Sequence, residues 1–198
     1  MKKILFLHIV LIILEIIARI HDLQVFGIRM FTYHTIDSNI LQMVVSATTV
    51  YLILIKKGKN MPDWLAPLHL VCAVSLTITF LIALFVLAPQ EGFAYYFLWN
   101  VAPVNHLIGP LISVITFLFM DRYPALPKTA IFLPMAMTLV YGFIALILNG
   151  LRLLDGPYFF LKIYETPPET IIMWFGIIAV LCIVLTAIYL WIRKKVTG

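Results

Sequence analysis

RMFTYHTIDSN, residues 29–39, gathers hydroxyls, an imidazole, a carboxylate and an amide between runs of apolar residues, and few other stretches of the chain are as polar. If a helix starts near Thr35, then Thr35, Asn39, Gln42, Ser46 and Thr49 recur at steps of four, three, four and three, which is one face of a 3.6-residue helix. Inside a membrane that face would be polar. Polar side chains in hydrocarbon cost free energy unless they face the interior of a bundle or a wet cavity, so the stripe should point inward and line something.

The flanking sequence supplies the membrane. Of 198 residues, 63% are hydrophobic and only 12% are charged, and the mean hydropathy is +1.06, far from the values of a soluble globule. The chain reads as an integral membrane protein forming one domain over residues 1–198. Its net charge of +5 does not point to nucleic acid, because the basic residues sit at helix ends rather than in a solvated patch. Cys72 and Cys182 each lie deep in an apolar run, which argues for packing and against a disulfide framework or a cysteine metal site. No cofactor and no metal is expected. The Met1-Lys2-Lys3 start imitates a signal peptide, but Glu15 and Arg19 interrupt the apolar run and no small-x-small cleavage site follows, so the segment reads as a membrane helix.

Six apolar segments, about 4–20, 36–55, 67–88, 99–120, 129–149 and 170–192, are long enough to cross roughly 30 Å of hydrocarbon. They are continuous and rich in Leu and Ile, which suits helices and not the alternating strands of a barrel, so the expected fold is an all-α bundle of six transmembrane helices. Lys2, Lys3, Lys56, Lys57, Lys59, Arg122, Lys128, Arg193, Lys194 and Lys195 fall on one side. Arg19, Arg29, Arg152 and Lys162 fall on the other. This positive-inside bias predicts that both termini are cytoplasmic. The inner connections, KKGKNMPDW and DRYPALPK, look like plain turns. The outer ones carry aromatics around Phe26–Tyr33, Phe93–Trp99 and Tyr158–Tyr164, and read either as an interfacial belt or as an apolar lid over a site in the outer leaflet.

In the first helix His8, Glu15 and Arg19 share a face, and Glu15 and Arg19, four apart, are spaced to pair. His69 in the third helix lies near the cytoplasmic end, where water should reach it, and is given no function. Pro134, Thr138, Tyr141, Ala145 and Asn149 form a small and polar stripe on the fifth helix, which suits helix packing. The fourth helix is different. WNVAPVNHLIGPLIS places Asn105 and His106 about two turns below the outer surface, with Gly109 and Ser113 on the same face. An intramembrane histidine is a functional candidate by default. Pro110 has no N–H to give the carbonyl of His106, so that carbonyl should be free and the helix kinked there. The bland alternative is a His106 that only hydrogen-bonds another helix. The second and fourth helices both begin on the outer side, which puts Thr35 and His106 in one leaflet, and a neutral histidine has the basicity a threonine hydroxyl needs to act as a nucleophile.

FTYHTIDSN entering the second helix, NHLIGP in the fourth and GPYFFL before the sixth resemble a group of bacterial six-helix membrane proteins. That group is more distantly similar to the androgen-induced-gene family of membrane hydrolases. The resemblance covers most of the chain in helix number and motif order. It implies a threonine nucleophile and a histidine on a later helix that cleave fatty-acid esters of hydroxy fatty acids, with Thr35 and His106 at the matching positions. Where the animal proteins carry a second histidine three residues after the first, this chain has Gly109.

The residues and the resemblance together predict an intramembrane hydrolase of a lipid-like acyl ester in a bacterial cytoplasmic membrane. Thr35 and His106 would be catalytic, and Ser38, Asn39, Gln42, Asn105 and Ser113 would bind or orient. The expected cavity lies between the second, fourth and fifth helices, floored by Gln42, Ser46 and Ser113. The alternative is a non-enzymatic transporter or lipid-binding protein using the same polar cavity, with Glu15, Asp37 and His106 as a proton or solute path. Membrane lipids and a lipid-like small molecule are the expected partners. A bundle whose polar residues only join helices is a third reading.

Overall fold

The computed structural model describes residues 2–56, 61–121, 123 and 126–197. Lys57, Lys59 and Arg122, which carry part of the expected charge asymmetry, lie outside the described residues. Every regular element among those described is helical, and the long ones are α1 Lys2–Phe26, α2 His34–Lys56, α3 Leu65–Glu91, α4 Val104–Met120, α5 Leu133–Gly150 and α6 Pro168–Thr197. Five helical stretches are long and apolar enough to cross a membrane, namely α1, α2, α3, α6 and α5 with the 3-10 turn that leads into it, while α4 is apolar but shorter. The fourth segment starts later than the sequence suggests. Asn100 takes a positive φ of 46° and Ala102 N–H bonds the Trp99 carbonyl, so residues 99–101 form a turn.

Helix α3 is the hub. It packs against α2, α4, α5 and α6, and 67% of its most apolar window is buried, against 17% for α6 and 22% for α5. Its inward residues are small or branched aliphatics such as Ala66, Ala73, Cys72 and Val74, all 0% exposed. In lipid no hydrophobic force drives helices together, so close backbone approach over small residues and interhelical hydrogen bonds must supply the packing energy. Ile172, Phe85 and Phe6 illustrate the outer surface: apolar, large and exposed, as a lipid-facing surface requires. Cys72 and Cys182 are buried and unbonded to each other.

Pro89 in α3 and Pro110 in α4 each follow a widened turn. Ala83–Leu87 precedes Pro89 and Val104–Ile108 precedes Pro110, and the Ala88 and Gly109 N–H groups bond carbonyls five residues back, at Ala83 and Val104. A proline cannot bond the fourth carbonyl back and collides with it, and a π turn gives that carbonyl room. The distortion anticipated at His106 is therefore a π turn, and it contains Asn105 and His106 themselves.

Candidate functional site

The α2 stripe is turned inward as its periodicity requires: Thr35, Asn39, Gln42, Ser46 and Thr49 are all buried. It meets two polar regions at opposite ends of the bundle. At the end holding the 121–127 connection, Asp121 accepts hydrogen bonds from His8 Nε2 at 3.2 Å, His69 Nδ1 at 3.1 Å and the Tyr123 hydroxyl at 3.0 Å. From His8 a directed chain runs along α2. Ser46 donates to His8 Nδ1 at 3.0 Å, Gln42 Nε2 donates to Ser46 at 3.1 Å, and Ser113 donates to Gln42 Oε1 at 2.6 Å. Arg193 of α6 closes this end by donating to the carbonyls of Phe117 and Asp121 and lying over the Phe117 ring. Burial pushes the Asp121 carboxyl up, but the bonds from His69 and His8 outweigh it and hold the group well below the usual carboxylate range.

Three expectations fail here. His69 is not reached by water; it is 0% exposed, because Asp121 and Tyr123 fold back over the end of α3. The DRYPALPK connection is more than a plain turn, since it supplies the acceptor on which three donors converge. The expected floor of Gln42, Ser46 and Ser113 is likewise packed solid, with each polar group bonded to the next.

The cavity lies at the other end. It has a volume of about 1030 Å³ and is lined by the last turns of α1 and α3, the first turns of α2 and α4, the middle of α5, Phe175 and Ile178 of α6 and the 151–167 connection. Of the sequence-predicted residues, Thr35, Asn105 and His106 line it; Ser38, Asn39, Gln42 and Ser113 do not. Ser38 is buried and turns its hydroxyl back to the His34 carbonyl at 2.7 Å. Asn39 sits beneath the cavity and joins α2 to α4, donating to the carbonyls of Thr35 at 2.9 Å and Asn105 at 3.1 Å. Tyr33, Tyr95, Tyr96, Trp99, Tyr158 and Phe160 supply much of the aromatic wall.

Thr35 and His106 share this cavity without hydrogen-bonding each other. The Thr35 hydroxyl lies 3.4 Å from the Tyr158 hydroxyl instead. His106 presents its ring edge-on to Tyr96 and Phe97, at 5.5 and 6.2 Å between centroids, and its buried Nδ1 has no well-formed partner. Tyr158 is the residue that sequence reasoning missed. It arrives by way of Gly156, whose φ of +53° and close approach to the Leu161 carbonyl, 2.9 Å from where a Cβ would stand, only glycine tolerates. The GPYFFL motif was its signal. Burial pushes the Tyr158 phenol above its ordinary pKa, so the hydroxyl keeps its proton and stays a donor.

A third group of polar residues adjoins the cavity, with Asp22 and Asn105 in its wall. Arg19 pairs with Asp22 at 2.9 Å, donates to the Ile36 carbonyl at 3.2 Å and to the side-chain oxygen of Asn105, and lies 3.6 Å from Glu15. The predicted pair of Glu15 and Arg19 is thus present but long, with Asp22 the nearer partner. No protein-family model, curated protein or solved structure matches the chain.

Proposed function

We propose that the chain is a multi-pass protein of the bacterial cytoplasmic membrane, crossing it six times with both termini on the cytoplasmic side, and that it is related to the androgen-induced-gene family of hydrolases. In this reading the cavity binds a lipid-like acyl ester from the outer leaflet. Thr35 Oγ1 attacks the ester carbonyl while His106 takes its proton; the tetrahedral oxyanion collapses, the alcohol leaves with that proton, and water then releases the acid from Thr35. Tyr158 holds the Thr35 hydroxyl and is placed to donate to the oxyanion. The supporting observation is that a hydroxyl and an imidazole from separate helices line one aromatic-walled cavity of about 1030 Å³, the size range of lipid and drug pockets.

The test is purified protein in detergent micelles with a series of long-chain acyl esters and a fluorophosphonate probe. Turnover and labelling at Thr35, both lost in Thr35→Ala, are expected. The bond from Thr35 to Tyr158 in place of His106 favours a second reading, a non-enzymatic lipid-binding protein or transporter. Protein that is inert and unlabelled yet retains or moves a lipid would establish that one.

A further inference from the structure

Between the closed end and the cavity, α1 brings Glu15 against α2 and α4 at a point where α4 has no side chain. Glu15 and Asn39 are both 0% exposed, and neither carboxyl oxygen of Glu15 nor Oδ1 of Asn39 has a hydrogen-bond partner. A Cβ on Gly109 would stand 2.8 Å from Asn39 Oδ1 and 3.0 Å from Glu15 Oε1. Two buried acceptors without donors therefore converge on the hollow that this glycine leaves, beside the Val104 carbonyl at 2.8 Å from the same point.

Two acceptors side by side are unfavourable unless one of them carries a proton. Asn39 has none to offer, because its amide donors are spent on the carbonyls of Thr35 and Asn105; flipping the amide would set oxygen against both. The local charges agree. Arg19 lies 3.6 Å from Glu15, beyond hydrogen-bond reach, but is matched by Asp22 at 2.9 Å and gives its terminal nitrogens to Asp22, Ile36 and Asn105, although its Nε is unpartnered. An ionised Glu15 would add an unmatched negative charge to the packed interior, which costs far more than a proton does. Asp37 from α2 and His106 from α4 also face Arg19.

We propose that Glu15 is a proton-binding site: a neutral carboxylic acid at neutral pH whose O–H donates to Asn39 Oδ1. That bond fixes the Asn39 amide, and through it the carbonyls of Thr35 and Asn105, so Glu15 positions the start of α2 against the π turn that carries His106. The protonation itself does not depend on the hydrolase reading; only its effect on turnover rests on that reading.

Infrared spectroscopy of the purified full chain in micelles separates the two. At neutral pH the wild type should show the C=O stretch of a protonated carboxylic acid, hydrogen-bonded and slow to exchange in heavy water. Glu15→Gln should abolish that band while keeping the melting temperature, because the Gln amide also donates to Asn39. Gly109→Ala should shift the band by pushing a methyl between the pair. Absence of the band in a folded wild type overturns the proposal, as does a carboxylate band that moves with sodium concentration, which would put a metal cation in the proton's place. A band present in inert protein overturns the hydrolase reading and leaves the proton site standing.

Discussion

The two ends of the bundle are built from the same chemical groups and differ in how much hydrogen-bonding capacity is left over. At the closed end His8, His69, Asp121, Tyr123 and Arg193 bond one another or the backbone, and none of them lines the cavity. At the open end Thr35, Asn105 and His106 border a cavity of about 1030 Å³, and an imidazole nitrogen, a carboxyl and an amide oxygen remain without well-formed partners nearby. A buried histidine touching a carboxylate is therefore the structural member here. The less engaged histidine is the candidate reagent.

The sharpest break between the ends comes from Thr35→Ala, which should lower acyl-ester turnover by about a thousandfold or more while leaving the melting temperature unmoved. Turnover measured beside a circular-dichroism melt checks both halves; unchanged turnover would mean that the open end does no chemistry. At the closed end the effect should be opposite in kind. Asp121→Ala strands the donors of His8, His69 and Tyr123, and should cost about 3–5 kcal/mol of stability. A stable, inactive Asp121→Ala protein would erase the distinction.

Acid should reach the closed end by the same route. The Asp121 carboxyl in the folded protein lies below its ordinary value of 3.8, so its contribution is complete above that value. It is lost as pH falls through the depressed folded value, where the folded carboxylate too is protonated. A melting-temperature series from pH 6 downward should show the decline in wild type and a flatter profile in Asp121→Asn. The smallest expected effect is Tyr158→Phe, which removes one hydrogen bond to Thr35 and should reduce turnover by about fivefold, near 1 kcal/mol, with little change in stability. An equal loss of stability would make Tyr158 part of the architecture.

Periodicity made the inward face of α2 legible, because five polar residues at helical spacing in an apolar run have one low-cost direction to point. The same reasoning grouped Pro134, Thr138, Tyr141, Ala145 and Asn149 of α5 on one packing face; all are buried except Tyr141, which is half-buried. Helix direction put Thr35 and His106 at one end, where they share the cavity. What stayed hidden depends on chain reversals. Asp121 stands at a helix end beside basic and proline residues, where a carboxylate normally meets water, and only its return beneath His8 and His69 makes it a core acceptor. Tyr158 sits in a connection without periodicity. Gln42 and Ser113 gave no sign that they would satisfy each other at 2.6 Å and leave no room for a ligand.

Arg193 also sets a timetable. It is made 72 residues after Asp121, the residue whose carbonyl it holds, and ribosomes add about 5–20 residues per second. For roughly 4–14 s of each round of synthesis, then, the end of α4 waits with its last carbonyls and the Asp121 carbonyl lacking their partner. The bundle is sealed from the side of its last helix, and a nascent chain halted before α6 leaves uncovered a carboxylate that the finished protein buries.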